Sequence, residues 1–155
     1  MDDCAPPTAE ERESALASLT SWLVAIAENP VVAAVVADDE SELDRWFVRV
    51  NGDSKDVYSV WFTMGQRTLA YETYVMPAPD ENHAQFYEQL LRRNDKLHQL
   101  AFTVGDEHAV FLKGRIDIRH VTQDALDQVL GSVYAAIELA FLPAIRVGFA
   151  SKFGT

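Results

Sequence analysis

The sequence predicts an α+β domain in which a five-stranded antiparallel sheet carries helices, in the order α-β-β-β-α-β-β-α. Two observations lead to this prediction. Apolar residues recur at spacings of three and four at the start, in the middle and at the end of the chain, as in amphipathic helices. Between these stretches lie short segments rich in Val, Tyr, Phe and Trp, separated by turns of a few residues, which is typical of antiparallel hairpins.

The first helix is predicted to begin after Thr8, because Thr8 and Glu11 have the spacing of a capping box. It runs to about Asn29, and Pro30 ends it. Its apolar stripe comprises Leu16, Leu19, Leu23 and Ile26. The apolar segment that follows, residues 31–36, is too short for its periodicity to decide between a helical turn and a buried extended piece.

Five strands are predicted, at about residues 45–50, 57–64, 69–76, 97–104 and 109–121. The Asn51-Gly52-Asp53 segment between the first two is a hairpin turn signal. Because the first three strands follow one another at short spacing, we expect them to form a meander.

Two further helices are predicted. One covers about residues 82–93, with Asn82 as its N-cap and Gln85 three positions later. The other begins at its N-cap Thr122 and carries a broad apolar stripe. Since proline inside a helix removes a hydrogen bond, Pro143 is expected to kink or break this last helix.

Both faces of the predicted sheet carry aromatic side chains. Phe47, Trp61 and Phe111 lie out of phase with the other apolar residues of their strands, at positions that are usually polar in a half-buried sheet. Either the helix of residues 82–93 covers this second face, or the face binds a partner protein or a second copy of the chain. We predict that the three aromatic residues contact a partner, because aromatic side chains dominate interface hot spots.

Length and charge limit the classes of function. The 155 residues fit one domain, predicted over residues 8–155 after a disordered tail of residues 1–7. The formal net charge of −11 disfavours binding to nucleic acid or to an anionic membrane surface. The charge either serves solubility alone or attracts a basic protein client.

The sequence predicts a cytoplasmic protein. The single cysteine, Cys4, allows no intrachain disulfide, and the acidic start of the chain differs from a basic secretory signal. The apolar stretch of residues 133–150 invites comparison with a membrane span. It contains Glu138 and Arg146, which are costly in a bilayer, so we expect a buried helix instead.

No pattern in the sequence predicts catalysis. The polar segment Asp80-Glu81-Asn82-His83 is interpreted as a helix-start capping motif rather than a metal or catalytic cluster. No metal-site spacing relates the four histidines, His83, His98, His108 and His120. A Gly-rich phosphate loop and a Gly-x-Ser-x-Gly elbow are also missing. We therefore predict no catalytic residues, no metal ligands and no cofactor.

Several motifs resemble the YbjN family of bacterial proteins, which is labelled as sensory transduction regulators. They are Asp80-Glu81-Asn82-His83 after a Pro-rich turn, Leu90-Leu91-Arg92-Arg93-Asn94, Leu112-Lys113-Gly114-Arg115 and Val121-Thr122. The resemblance spans about residues 45–150. It implies a fold similar to that of the type III secretion chaperones, and an acidic, homodimeric, non-enzymatic protein that binds other proteins.

Together these observations predict a protein-binding regulator or chaperone-like module that acts as a homodimer with an unidentified protein client. The dimer contact is expected on the last helix, where the near-continuous apolar run from 133 to 149 exceeds one stripe. The residues predicted for that contact are Ile137, Phe141 and Phe149. The alternative is a small-molecule sensor with its ligand between the sheet and the helices.

Overall fold

The chain folds as an antiparallel sheet with helices, in a computed structural model that describes residues 5–153. Its helices are α1 (Ala9–Ile26), α2 (His83–Asn94), α3 (Gln123–Gly148) and the short α4 (Ala150–Phe153). Its strands are β1 (Val32–Ala37), β2 (Arg45–Asn51), β3 (Val57–Met64), β4 (Thr68–Met76), β5 (Ala101–Val104) and β6 (Val110–Asp117). The α+β class is confirmed. Residues 1–4 of the predicted tail, which include Cys4, lie outside the described residues.

The sheet has six strands rather than the predicted five. The additional strand is β1, which forms from the apolar segment whose periodicity was ambiguous. It pairs antiparallel with β2, and the order across the sheet is β1-β2-β3-β4-β6-β5. Val32 and Val35 pack against the core from this edge position, which suits β-branched side chains. Both β1 and β5 are therefore edge strands.

The predicted capping box at the start of α1 is present. The Thr8 hydroxyl accepts a hydrogen bond from the Glu11 amide at 3.1 Å, and the Glu11 carboxylate accepts one from the Thr8 amide at 2.8 Å. The helix ends at Ile26, before the predicted boundary. Its buried side also includes Trp22, which the predicted stripe omitted.

Helices α1 and α3 pack on one face of the sheet. The Trp22 ring of α1 lies 5.3 Å from the Phe62 ring of β3, in an edge-on arrangement. Alternate residues of the central strands point to this side and are fully buried, among them Val48, Val60, Phe62, Leu69 and Leu112. The other set of alternate residues points away from the helices.

Helix α3 continues through Pro143 to Gly148, so the predicted break does not occur. Among the described residues, it is the one helix long and apolar enough to cross a membrane. Its apolar stripe is instead packed in the core, with Leu126, Val133 and Ile137 almost completely buried. Packing against the sheet and against α1 thus accounts for its hydrophobic character.

The segment before α2 does not form the predicted cap. Asn82 adopts a left-handed conformation with φ of 54°, and its side chain accepts no hydrogen bond from α2. Its Nδ2 atom instead donates to the Val147 carbonyl at 2.9 Å. The amides of Asp80 and Glu81 both donate to the Gly148 carbonyl, at 2.9 and 3.1 Å. This segment therefore satisfies the carbonyls left free at the end of α3.

A carboxylate on α3 holds the hairpin turn between β2 and β3. Glu138 accepts hydrogen bonds from the Asp53 amide at 3.0 Å, and from the Ser54 amide and hydroxyl at 3.1 and 2.9 Å. Burial raises the pKa of Glu138, but these hydrogen bonds outweigh it, so its pKa lies below the ordinary value of 4.5. The interaction ties the turn to the helix layer.

Replacing this carboxylate is expected to destabilise the protein in a pH-dependent way. Because the pKa is lower in the folded state, the ionised group stabilises the fold above pH 4.5, and this contribution is lost as the pH falls through the folded-state pKa. Glu138→Gln should cost about 1 kcal/mol at pH 7, and the difference from the parent should shrink in acid. Urea unfolding at several pH values measures it, with Glu13→Gln on exposed α1 surface as the control. A difference that stays constant with pH would contradict this account.

Candidate functional site

The sheet face that points away from the helices, here called the open face, forms the candidate site. Its residues on the four central strands are Arg45, Phe47, Arg49, Ser59, Trp61, Thr63, Ala70, Glu72, Tyr74, Phe111, Lys113 and Arg115. Two solvent-open hollows of about 480 and 420 Å³ lie on it and share Trp61 and Glu72 in their linings. The face is therefore concave and accessible.

Helix α2 does not cover the open face, so that alternative is wrong. It packs against α3 and the edge strand β5. Phe86 and Leu90 are its buried residues, and Phe86 lies beside Gly148 at the end of α3. Neither hollow on the open face is lined by an α2 residue.

The three aromatic residues predicted to bind a partner all lie on the open face. Phe47 and Trp61 are paired across β2 and β3, with ring centroids 4.9 Å apart. Phe111 is paired with Tyr74 across β6 and β4, with centroids 5.7 Å apart in an edge-on arrangement. Sequence reasoning missed Tyr74, which is 44% exposed, although it is out of phase with the buried Tyr71 of the same strand. The fold thus brings together four rings.

Each of the four rings has a cation over it. The Arg45 guanidinium lies 3.9 Å from the Trp61 ring centroid, and that of Arg49 lies 5.4 Å from Phe47. The ammonium groups of Lys55 and Lys113 lie 5.0 Å from Tyr74 and 5.5 Å from Phe111. Such contacts are worth about 0.5–1 kcal/mol each when exposed. The open face is therefore a platform of paired aromatic and cationic side chains.

The charge of the open face is opposite in sign to that of the whole chain. Five basic residues line the two hollows: Arg45, Arg49, Lys55, Lys113 and Arg115. Among the described residues that line them, Glu72 is the one carboxylate. The net charge of −11 gave no indication of this basic face, because net charge does not report how charges are distributed. One feature of the sequence could have predicted the basic face: Lys113 and Arg115 alternate with the apolar residues of their strand, so both point to the open face.

Lys55 closes one end of the platform. Its ammonium group donates to the Val75 carbonyl at 2.6 Å and also lies 5.5 Å from the Phe141 ring of α3. Burial lowers its pKa from the ordinary value. Phe141, one of the predicted dimer residues, is therefore partly covered by the chain's own Lys55.

The other two predicted dimer residues lie in the core. Ile137 is completely buried and Phe149 is 6% exposed. Their side chains pack inside the chain and cannot contact a second copy in this conformation. The exposed large apolar residues of α3 are instead Leu139, at 67% exposure, and Leu142. Leu139 borders a groove of about 330 Å³ between α3, α2 and β5.

The space between the sheet and the helices is filled by side chains. Three aromatic side chains are almost completely buried there: Trp22, Phe62 and Tyr71. The Phe62 ring lies between the other two, with its centroid 5.3 Å from that of Trp22 and 6.3 Å from that of Tyr71. The buried Thr73 hydroxyl donates to the Ser59 carbonyl at 2.7 Å. The buried Tyr58 hydroxyl has no hydrogen-bond partner in the described part of the chain, and burial raises its pKa. Within residues 5–153, no group of three or more His, Cys, Asp or Glu side chains could hold a metal ion.

The fold is that of the type III secretion chaperones. A crystal structure of the Yersinia pestis type III secretion chaperone SycH, in complex with a stable fragment of YscM2, matches 77% of this chain and 97% of its own chain. The TM-score is 0.50 and the sequence identity is 17%, so the likeness concerns the fold.

The chain belongs to the YbjN family, whose model, described as "Putative bacterial sensory transduction regulator", matches residues 19–145. It is 32% identical over 108 residues to uncharacterized protein ML2442 of Mycobacterium leprae. It is 31% identical over 105 residues to uncharacterized protein Rv0487 of Mycobacterium tuberculosis. These matches cover 70% and 68% of this chain but only 59% and 57% of the two relatives, so the chain spans less than two thirds of their length.

Three of the residues that carry the family resemblance, Asn82, Asn94 and Gly114, hold the fold together. Asn82 bonds the end of α3, and the Asn94 side chain bonds both the amide and the carbonyl of Phe102 on the edge strand β5. A Cβ atom at Gly114 would lie 2.0 Å from the Gln99 carbonyl oxygen, so only glycine fits there. Family membership therefore explains the architecture, while the open face is the candidate for function.

Removing the central ring of the open face is expected to leave the protein folded. Trp61 is half-buried, so Trp61→Ala should cost less than about 2 kcal/mol, whereas Trp22→Ala should cost about 3–5 kcal/mol because Trp22 is 1% exposed. Urea unfolding followed by circular dichroism compares the two tryptophans directly. Equal losses for the two variants would show that Trp61 serves the core.

Proposed function

We propose that this chain is a non-enzymatic, protein-binding regulator or chaperone-like module whose open face takes up a segment of a partner protein. The observation that carries the proposal is the group of four aromatic rings on an uncovered sheet face, each with a cation over it. Tryptophan, tyrosine and arginine are the residues most enriched at interface hot spots.

The geometry is suited to binding rather than to chemistry. The hollows are open to solvent, and four of their five cations lie over aromatic rings rather than beside a nucleophile. An extended segment of a partner can lie across strands and bury the rings against its own side chains. Two comparisons support the proposal: the family is described as regulatory, and the structurally similar SycH was crystallised with a protein fragment.

Loss of Trp61 should abolish partner binding without unfolding the protein. The tagged parent chain is expected to retain specific proteins from the cytosol of its host, and Trp61→Ala to lose them. Val24→Ala is the matched control, because Val24 is 76% exposed on α1, away from the open face. Retention of the same proteins by the parent and by Trp61→Ala would exclude the open face as the binding surface.

The proposal includes a homodimer that forms through the exposed part of α3. Leu139 and the groove beside it offer an apolar surface that a second copy could cover. Two copies each carrying a charge of −11 repel one another, so moderate salt should favour the association.

Light scattering at micromolar concentration and moderate salt should give the mass of a dimer. Leu139→Gln should shift it toward the monomer, and Val24→Gln, a comparably exposed position on α1, should not. A parent protein that remains monomeric would end the dimer proposal without affecting the open face.

A further inference from the structure

We infer that the segment bound by the open face is acidic, with carboxylates on either side of an apolar anchor residue. The inference rests on the proposed function and names the chemical class of its partner. Its basis is the reversal of charge on the open face, where five basic residues and one carboxylate line the hollows of a chain with 24 acidic and 13 basic residues. Electrostatic complementarity of this kind sets partner choice and orientation.

Three of the five cations, Arg49, Lys55 and Arg115, have no carboxylate partner among the described residues, and Lys55 instead donates to the Val75 carbonyl. Ion pairs join Arg45 to Asp38 at 3.3 Å and Lys113 to Glu72 at 3.4 Å, whereas Arg49 and Arg115 form none within residues 5–153. A guanidinium presents five N–H donors in a planar fork that matches a carboxylate. Arg49 and Arg115 are therefore the sites with most unused capacity to bind acidic side chains.

The cations surround an apolar centre at regular spacing. Phe47 and Trp61 form the middle row, with Arg45 and Arg49 two residues before and after Phe47 on the same strand. Strand geometry separates Arg45 from Arg49 by about 13 Å. Arg115 stands on the same row as Arg45, three strands away, at about 14 Å. The two unpaired guanidinium groups, Arg49 and Arg115, therefore stand at diagonal corners about 19 Å apart, so a segment whose carboxylates are about six extended residues apart, with an apolar residue between them, can reach both.

The same features disfavour nucleic acid as the occupant. Bases bind proteins by stacking on exposed ring faces, but each ring here already has a cation 3.9–5.5 Å from its centroid. A carboxylate can bind the outer N–H groups of such a cation without displacing it. The net charge of −11 also repels a long polyanion far more than a short acidic segment.

A displayed library of random peptides, selected on the immobilised full chain and counter-selected on Trp61→Ala, tests the inference. We expect the enriched peptides to carry more Asp and Glu than Lys and Arg, together with an aromatic or aliphatic residue. A synthetic copy of one such peptide should bind about tenfold or more weakly to the double variant Arg49→Glu and Arg115→Glu. Its affinity for the parent chain should also fall with rising salt.

The matched control is the double variant Arg92→Glu and Arg146→Glu, which changes the net charge equally at exposed positions of α2 and α3. It should leave the affinity within about twofold of the parent. Circular dichroism verifies that both double variants are folded.

The possible results separate the inference from the proposed function. Peptides that need Trp61 but carry no excess of carboxylates would overturn the acidic segment and leave the protein-binding role intact. The same conclusion follows if both double variants weaken binding equally. If no peptide binds in a Trp61-dependent way, or if single-stranded RNA does so in a parallel assay, both the inference and the proposed function are overturned.

Discussion

The packing of α3 against the sheet is the interaction on which the rest of the structure depends. Specific hydrogen bonds attach α1, the β2–β3 turn and the segment before α2 to this helix. The Trp22 indole of α1 donates to Asp127 at 2.8 Å, and Glu138 holds the β2–β3 turn. At its far end the Val147 and Gly148 carbonyls receive the donors that precede α2. Because α1 and α2 both pack against α3, no long helix among the described residues covers the other face of the sheet.

This arrangement separates the residues that specify the fold from those available for binding. Gly148 illustrates the first group, because a Cβ atom there would lie 2.7 Å from the Phe86 ring and 2.9 Å from Pro79. Arg49 and Trp61 illustrate the second, since both line a hollow on the open face. Motif residues of the first kind, such as Asn82, Asn94 and Gly114, identify the architecture but do not identify the partner.

Local patterns in the sequence predicted what local physics determines. The capping box of α1 needs only Thr8 and Glu11, and the alternation of buried and outward residues placed Phe47, Trp61 and Phe111 on one face. The incorrect or undecided predictions concern residues whose hydrogen-bond partners are distant in the sequence. Asn82 has the residue type of an N-cap, yet the free carbonyls of α3 compete successfully for its amide across 65 residues. Strand β1 was ambiguous because six apolar residues become a strand only when a neighbour such as β2 supplies hydrogen bonds.

The charge of the open face shows most clearly why composition could not predict the site. A net charge is a sum over the chain, whereas a partner experiences the charges within about one Debye length, roughly 8–10 Å in physiological salt. Around Trp61 the fold gathers cations from β2 and β6 that are far apart in the sequence, since Arg49 and Lys113 line the two hollows that share Trp61. The side chains of these cations also cover part of the aromatic surface. The side chains that shield the rings in the free protein are thus the ones that would recognise carboxylates in the bound state.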